Sequence, residues 1–183
     1  MNPAISIDLA QIHWEGGGLS RFEVNGTQNV QQVLLSEPLA DVAIESRASF
    51  GHDLDRNQVG IMLNTDMMVT TGKPAQPAGI AGHFELTFTF TVDNLPELLI
   101  APDQPDSPLH PQLVLMLLSV AYSTARGILW TRLAGTPLEG ITLPLINPAQ
   151  LLQPAEPAVP PVLPAKKPRS SASANPKKST PLK

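Results

Sequence analysis

Three stretches between residues 39 and 92 alternate between hydrophobic and polar side chains. Residues 39–50, 58–71 and 80–92 keep a period of two, which places apolar side chains on one face of a strand and polar ones on the other. This pattern is typical of antiparallel strands with one buried face. Turn-forming residues separate the three stretches, so the sequence predicts a three-stranded meander.

An earlier strand and a long connection precede this meander. We expect the strand over residues 5–14 and a crossover over residues 16–38, whose start is marked by three consecutive glycines. Connections of this length are uncommon unless they are functional or disordered. The crossover is too apolar for a plain solvated loop, so its hydrophobic residues either line a binding site or fill the core.

A long apolar helix follows the meander. Prolines at 108 and 111 precede an uninterrupted helical stretch that runs to about Leu133. This helix is hydrophobic on nearly every face and must therefore be covered on every face. Since one sheet covers only one side, another chain is expected to cover the other. The alternative is a helix that crosses only its own sheet.

Small residues recur every four positions along this helix, at Ser119, Ser123 and Gly127. Such a stripe would let two helix backbones approach closely, so we expect an oligomer interface there. The helix is not expected to enter a membrane, because its uncharged apolar part spans residues 113–122 and a span needs roughly 20 residues. The order of elements predicts an α+β fold: a four-stranded antiparallel sheet with a long crossover and one long helix on one face.

Charge divides the chain into a domain over residues 1–153 and a tail over residues 154–183. The first part contains 6 Lys and Arg against 15 Asp and Glu, a net charge of −9, and the tail contains 6 against one, a net charge of +5. The tail also holds 8 of the 20 prolines and no aromatic residue, so we expect it to be disordered. Its basic residues, among them Lys166, Lys167 and Arg169, could contact an acidic partner or RNA, or merely keep the protein soluble.

The residue types that could carry out catalysis or bind a metal are scattered along the sequence. The chain has no cysteine, which excludes a disulfide framework, a thiol nucleophile and a cysteine metal site. Residues 53–57 imitate the start of a calcium loop, but Gln58 and Asn64 stand where glycine and glutamate are required, so we predict a hairpin turn. We expect no catalytic residues, no cofactor and no metal. The four histidines lack the spacing of metal ligands; they are His13, His52, His83 and His110.

Two further features bear on location and partners. The first nine residues contain no Lys or Arg and no basic-then-apolar leader, so a cytoplasmic protein is expected. The few aromatic residues, 4% of the chain, are too sparse for a base-stacking platform, and we expect no specific nucleic acid.

Roughly residues 5–152 resemble SecB, the tetrameric protein-export chaperone, and its SecB-like relatives, some of which accompany toxin–antitoxin pairs. The similarity is clearest where Pro111 precedes an apolar helix that closes at Ala125-Arg126-Gly127 and leads to the Leu/Pro link at 143–148. The meander, with Ile80-Ala81-Gly82 before its last strand, is also similar.

The resemblance implies a homotetramer, a dimer of dimers, whose long helices pack at its centre. It also implies apolar grooves for unfolded clients, lined by the crossover. Two features depart from SecB: only residues 149–152 remain where a second helix would follow, and the tail is rich in Lys and Pro, whereas the SecB tail helps to engage SecA. The candidate client-binding residues are Trp14 at the entrance and Phe22, Val24, Val33, Leu34 and Leu35 along the crossover.

The leading hypothesis is an ATP-independent holdase for unfolded polypeptides or preproteins, with SecA as a possible partner. A dedicated module that binds one fixed partner, such as an antitoxin, is the alternative, and a binder of small apolar ligands with the crossover as its lid is a third. Met62 and Met68 either add an adaptable binding surface or lie on an outer sheet face packed against the crossover or a partner subunit.

Overall fold

The computed structural model describes residues 7–102, 104 and 107–152. Four strands and two α-helices form the fold, with short 3₁₀ helices at Leu9–Gln11, Leu95–Leu98 and Pro148–Leu152. In chain order the main elements are strand β1 (Ile12–Asn25), helix α1 (Val30–Ser36), strand β2 (Asp41–Asp53), strand β3 (Gln58–Thr71), strand β4 (Gln76–Val92) and helix α2 (Pro111–Arg132).

The four strands form one antiparallel sheet in the order β1-β4-β3-β2. Hairpins join β2, β3 and β4, as the three alternating stretches predict, and the turn over residues 54–57 confirms the hairpin predicted there. Strand β1 pairs with β4 at the far edge, so the chain must cross the sheet to reach β2. The predicted α+β architecture is confirmed.

The predicted bounds of the first strand and of the crossover are wrong. Strand β1 runs through Asn25, so the crossover covers only residues 26–40 and contains helix α1. Register shifts occur between Trp14 and Gly16 and between Leu19 and Arg21. Each irregularity breaks the period-two pattern that identifies a strand in sequence, and consecutive glycines have low strand propensity.

The crossover is fixed at one end of the sheet. The Asn29 side chain caps α1, and the Val30 amide donates a 2.7 Å hydrogen bond to the carbonyl oxygen of Pro137 in the connector after α2. At Gly26, whose φ is +150°, a Cβ would lie 3.1 Å from Pro137 and 3.2 Å from Ile80. Glycine therefore allows the crossover to pack closely against the core.

Helix α2 covers the inner face of the sheet, and the predicted extent of this helix is confirmed. By length and composition it is the one described helix that could cross a membrane, although buried core helices share that composition. One side of α2 packs on the sheet and the other remains accessible in the single chain, because one sheet covers only one side. The buried residues of α2 are Leu113, Val114, Leu117, Leu118, Ala121, Tyr122, Ala125 and Leu129.

After α2 the chain turns back along the helix. Arg126 Nε donates a 3.0 Å hydrogen bond to the Leu143 carbonyl, and the Tyr122 hydroxyl donates one of 3.1 Å to the Pro144 carbonyl. Burial raises the pKa of Tyr122, which keeps this hydroxyl protonated as a donor. The chain ends its described part with the short 3₁₀ helix packed on β2 and α2. The predicted tail over residues 154–183 lies outside the described residues.

Candidate binding surfaces

Two of the predicted client-binding residues lie on the inner face of β1 as half-exposed aromatic side chains. The Trp14 ring lies 5.6 Å from Phe88 and 5.4 Å from Phe90, and the Phe22 ring lies 5.3 Å from Phe84. Both rings cover buried phenylalanines of β4 with one side and face solvent with the other. The prediction that Phe22 lies along the crossover is therefore wrong, because β1 continues through this position.

The triple glycine belongs to β1 and makes room for Trp14. A Cβ at Gly17 would lie 2.5 Å from the Phe88 ring, 2.8 Å from the Thr87 carbonyl oxygen and 3.0 Å from the Trp14 ring. Only glycine leaves space for the indole to lie along the strand against β4. The glycines that predict the start of a crossover in the sequence thus support an aromatic cluster in a strand.

The other predicted client-binding residues separate into buried and exposed positions. Val24 is another β1 residue and is half-buried, whereas Val33 on α1 is 5% exposed and belongs to the core. The prediction that Val33 lies on a binding surface is therefore wrong. Leu35 on the same helix is 88% exposed, Leu39 is 49% exposed, and Leu34 is half-buried against the core. We call Leu34, Leu35 and Leu39 the crossover surface.

A groove of about 640 Å³ separates β1 from the accessible side of α2. Ser123 and Gly127 from the predicted small-residue stripe lie in it, and Ser119 is exposed one turn earlier. We call this cavity the helix groove. It is lined by Gly17, Gly18, Leu19, Ser123, Thr124, Gly127, Ile128, Thr131 and Arg132.

Large apolar side chains lie on the accessible side of α2. Trp130 is 57% exposed and Val120 is 44% exposed. A Cβ at Gly127 would meet no atom within 4 Å, so the groove has open space above the helix backbone. Sequence reasoning included Trp130 only as part of an all-round apolar helix and missed its exposure.

Strand β1 also presents a long free edge beside the helix groove. It spans 14 residues and has β4 as its single neighbour in the sheet. An edge strand of this length exposes backbone donors and acceptors that can pair with another strand. Sequence reasoning missed this edge because it assigned most of β1 to the crossover.

The outer face of the sheet carries a charged network and two methionines. His83 Nδ1 lies 2.7 Å from Asp66, and Arg21 lies 3.7 Å from Glu85. Met62 and Met68 are 42% and 44% exposed on this face. Because the crossover packs on the helix side of the sheet, the expectation that it could cover these methionines is wrong. Coverage by a partner subunit stays a prediction.

The hydrogen bond that the His83 ring donates to Asp66 raises the pKa of His83 above its ordinary value of 6.5. The carboxylate favours the imidazolium, so its stabilising contribution is complete below the ordinary pKa and is lost as the pH rises through the raised pKa. An NMR titration of the imidazole should show the raised pKa, and Asp66→Asn should lower it. Asp53→Asn, a control on β2, should leave it unchanged; an equal effect of both variants would contradict the assignment to Asp66.

The chemistry available on these surfaces favours binding. Among the described residues no three His, Asp or Glu side chains form a group that could hold a metal ion, and no buried side-chain nitrogen or oxygen there lacks a hydrogen-bond partner. The accessible features are exposed leucines, an apolar groove and a free strand edge. These features suit contact with polypeptide, through burial of apolar surface and strand pairing.

No family model matches the sequence, and no curated protein matches it. Among solved structures, the chain is similar to the Mycobacterium tuberculosis Rv1957 SecB-like chaperone in complex with a ChAD peptide from the Rv1956 HigA1 antitoxin. That similarity has a TM-score of 0.52 at 12% identity and covers 75% of this chain and 91% of the other. A protein of unknown function from Streptococcus agalactiae matches at 10% identity over 73% of this chain and 97% of that one, with a TM-score of only 0.28. The strand order, the long helix on one face and the similarity to Rv1957 together show that this chain has a SecB-like fold.

Proposed function

We propose that the protein is a cytoplasmic, ATP-independent holdase chaperone that binds extended apolar segments of unfolded polypeptides. The observation that carries this proposal is Leu35, which is 88% exposed two residues after the buried Val33. A large apolar side chain is thereby held in solvent by a short helix fixed to the core. A SecB-like chaperone of similar fold was solved with a bound peptide, and this supports the proposal that the protein binds polypeptide segments.

The crossover surface suits clients of varied sequence. Each square ångström of apolar surface buried on Leu35 and Leu39 would contribute about 25 cal/mol. Such burial is non-directional, so it selects for apolar character and extension rather than for a particular sequence. The hydrogen bond from Val30 to Pro137 holds α1 in place before a client arrives, which reduces the ordering cost of binding.

A dedicated interaction module is the second candidate function. It is favoured by the peptide in the similar Rv1957 structure, which comes from an antitoxin. In that role one antitoxin would be the partner of this chain, whereas in an export role the partners would be preproteins and SecA. Client breadth separates the two functions, because a holdase protects unrelated unfolded proteins and a dedicated module protects one.

We also propose that the protein assembles as a homotetramer, a dimer of dimers. The exposed Val120 and Trp130, the open helix groove and the free edge of β1 support this proposal. A second copy on this side would bury apolar surface that one chain leaves in water, and it could pair the β1 edge. Ser119, Ser123 and Gly127 would then lie at the contact between helices.

Two serine substitutions on α1 test the holdase proposal. Leu35→Ser should weaken suppression of aggregation of an unrelated unfolded protein and leave the denaturant midpoint nearly unchanged, because Leu35 has few contacts to lose. Val33→Ser should instead lower the free energy of unfolding by about 2–4 kcal/mol, because it creates a cavity and buries a hydroxyl. Both quantities are measured on each variant.

Gln32→Ser is the matched control, since Gln32 is exposed on the same helix. It should change neither aggregation suppression nor stability. Unchanged activity in Leu35→Ser would contradict the crossover surface as the client site. A wild-type protein that protects no unrelated client would contradict the holdase and favour the dedicated module.

A further inference from the structure

The outer face of the sheet is acidic, and among the described residues no helix packs on it. Arg21 and Arg47 are the only Lys or Arg residues in the four strands. Carboxylates outnumber these two arginines on the outer face. Strand register and side-chain contacts assign the acidic residues to this face. These include Glu15, Glu23, Asp41, Glu45, Asp66 and Glu85.

Two of these carboxylates are direct cross-strand neighbours. Glu45 on β2 is opposite Asp66 on β3, and like charges in such a pair destabilise a sheet. Arg47 lies 3.0 Å from Glu45 and His83 lies 2.7 Å from Asp66, which offsets part of the repulsion. A further cation between the two carboxylates would be stabilised by both.

A cavity of about 360 Å³ opens at this acidic pair. Ala43, Met68 and Ala81 supply apolar surface beside Glu45 and Asp66. This combination fits a lysine or arginine side chain, whose methylene stem packs on apolar surface while its charged head reaches the carboxylates. The cavity thus offers a basic side chain both apolar contact and two carboxylates, beside His83, which already pairs with Asp66.

The chain carries a segment of that chemistry in its own tail. Residues 154–183 have a net charge of +5, against −9 for residues 1–153. The tail follows the buried Leu151 in the closing 3₁₀ helix, which packs against β2, the edge strand that holds Glu45. Its departure point is thus beside β2, the edge strand that contributes Ala43 and Glu45 to the cavity.

The length of the tail is sufficient to reach the outer face. Lys166 follows Leu152 by 14 positions. A flexible coil of that length spans about 20 Å, and an extended proline-rich one about 43 Å. Adjacent strands are only about 4.8 Å apart, so the tail need only pass around β2 to place its cations at the cavity. Because the tail and the outer face belong to one chain, the effective concentration of the tail at this face would be millimolar, on the order found for short flexible linkers.

We propose that the basic tail, through Lys166, Lys167 and Arg169, docks on the outer face of its own sheet at the cavity beside Glu45 and Asp66. Docking pairs the unbalanced carboxylates of the domain with the excess cations of the tail. The tail then occupies a surface that would otherwise attract basic segments of other chains. This proposal is independent of the proposed holdase function.

Paramagnetic labelling of the full-length chain tests the proposal. The sequence has no cysteine, so Ser170→Cys gives a single attachment site for a spin label next to Arg169. Methionine methyl groups labelled with ¹³C report the contact: Met68 lies at the cavity, and Met116 lies on α2. The Met68 signal should lose most of its intensity, while the Met116 signal should change little.

Two sets of substitutions in the labelled chain locate the contact. Replacing Lys166, Lys167 and Arg169 with serine should restore the Met68 signal, and so should Glu45→Gln with Asp66→Asn. Equal intensity losses at Met68 and Met116 would overturn the proposal, as would a Met68 loss that survives Glu45→Gln with Asp66→Asn. Mixing spin-labelled chains with ¹³C-labelled unmodified chains should leave Met68 unaffected; a loss there would overturn docking within one chain in favour of a neighbouring copy.

Discussion

Replacing Gly127 with leucine should split the assembly into smaller species while each chain stays folded. A Cβ at Gly127 meets no atom within 4 Å, so the single chain accommodates the larger side chain. Leucine also favours a helix over glycine by about 1 kcal/mol. In the proposed tetramer, however, the side chain would fill the helix groove that a second copy must enter. Light scattering should give about four times the 19.6 kDa chain mass for the wild type and a lower mass for the variant.

Gln32→Leu is the control for this experiment, because Gln32 is exposed on α1 and does not line the helix groove. It adds the same side chain and should leave the mass unchanged. Ser123→Leu lies in the groove and should act like Gly127→Leu. A wild-type protein that is monomeric at micromolar concentration would contradict the tetramer, and an intact Gly127→Leu tetramer would contradict this face as its interface.

Replacing Phe84 with alanine should cost about 3–5 kcal/mol of folding free energy. Phe84 is completely buried on the inner face of β4 and supports the ring of Phe22. Its ring also lies over Gly82, where a Cβ would come within 2.5 Å of it. Removal of the ring leaves a cavity between β1, β4 and the connector. Thermal unfolding should show a loss of about 10 °C for a domain of this size.

Phe22→Ala is the matched aromatic truncation, and it should cost much less because the ring is already 38% exposed. Equal losses for the two variants would show that Phe22 is a core residue. Phe22 would then have no role on a binding surface.

The strength of each periodic signal explains which elements the sequence predicts. Strands β2, β3 and β4 alternate regularly, and α2 is a long apolar stretch opened by Pro111, so their existence follows from local pattern. Strand β1 is different, because two register shifts and three glycines remove its period. Its partner β4 supplies the hydrogen bonds and the phenylalanine surface that hold it extended, and that partner is distant in sequence.

The binding surfaces show the same division. The sequence identified Val33 and Leu35 as apolar residues of a segment outside the regular strands, but could not distinguish their environments, because both are apolar residues of one short helical turn. The environments of the two residues depend on tertiary contacts. The Pro137 carbonyl fixes the start of α1, so that Val33 points into the core and Leu35 points into solvent. The outer acidic face arises likewise from strand register, which brings Glu45 and Asp66 together across 21 positions of sequence.

Composition and local periodicity are sufficient to predict the fold class, the long helix and the opposite charges of domain and tail. They do not predict that Trp14 and Phe22 belong to a strand, that one side of α2 remains open beside β1, or which leucines reach solvent. Those outcomes depend on contacts between segments far apart in the chain, whose packing determines what each apolar side chain covers.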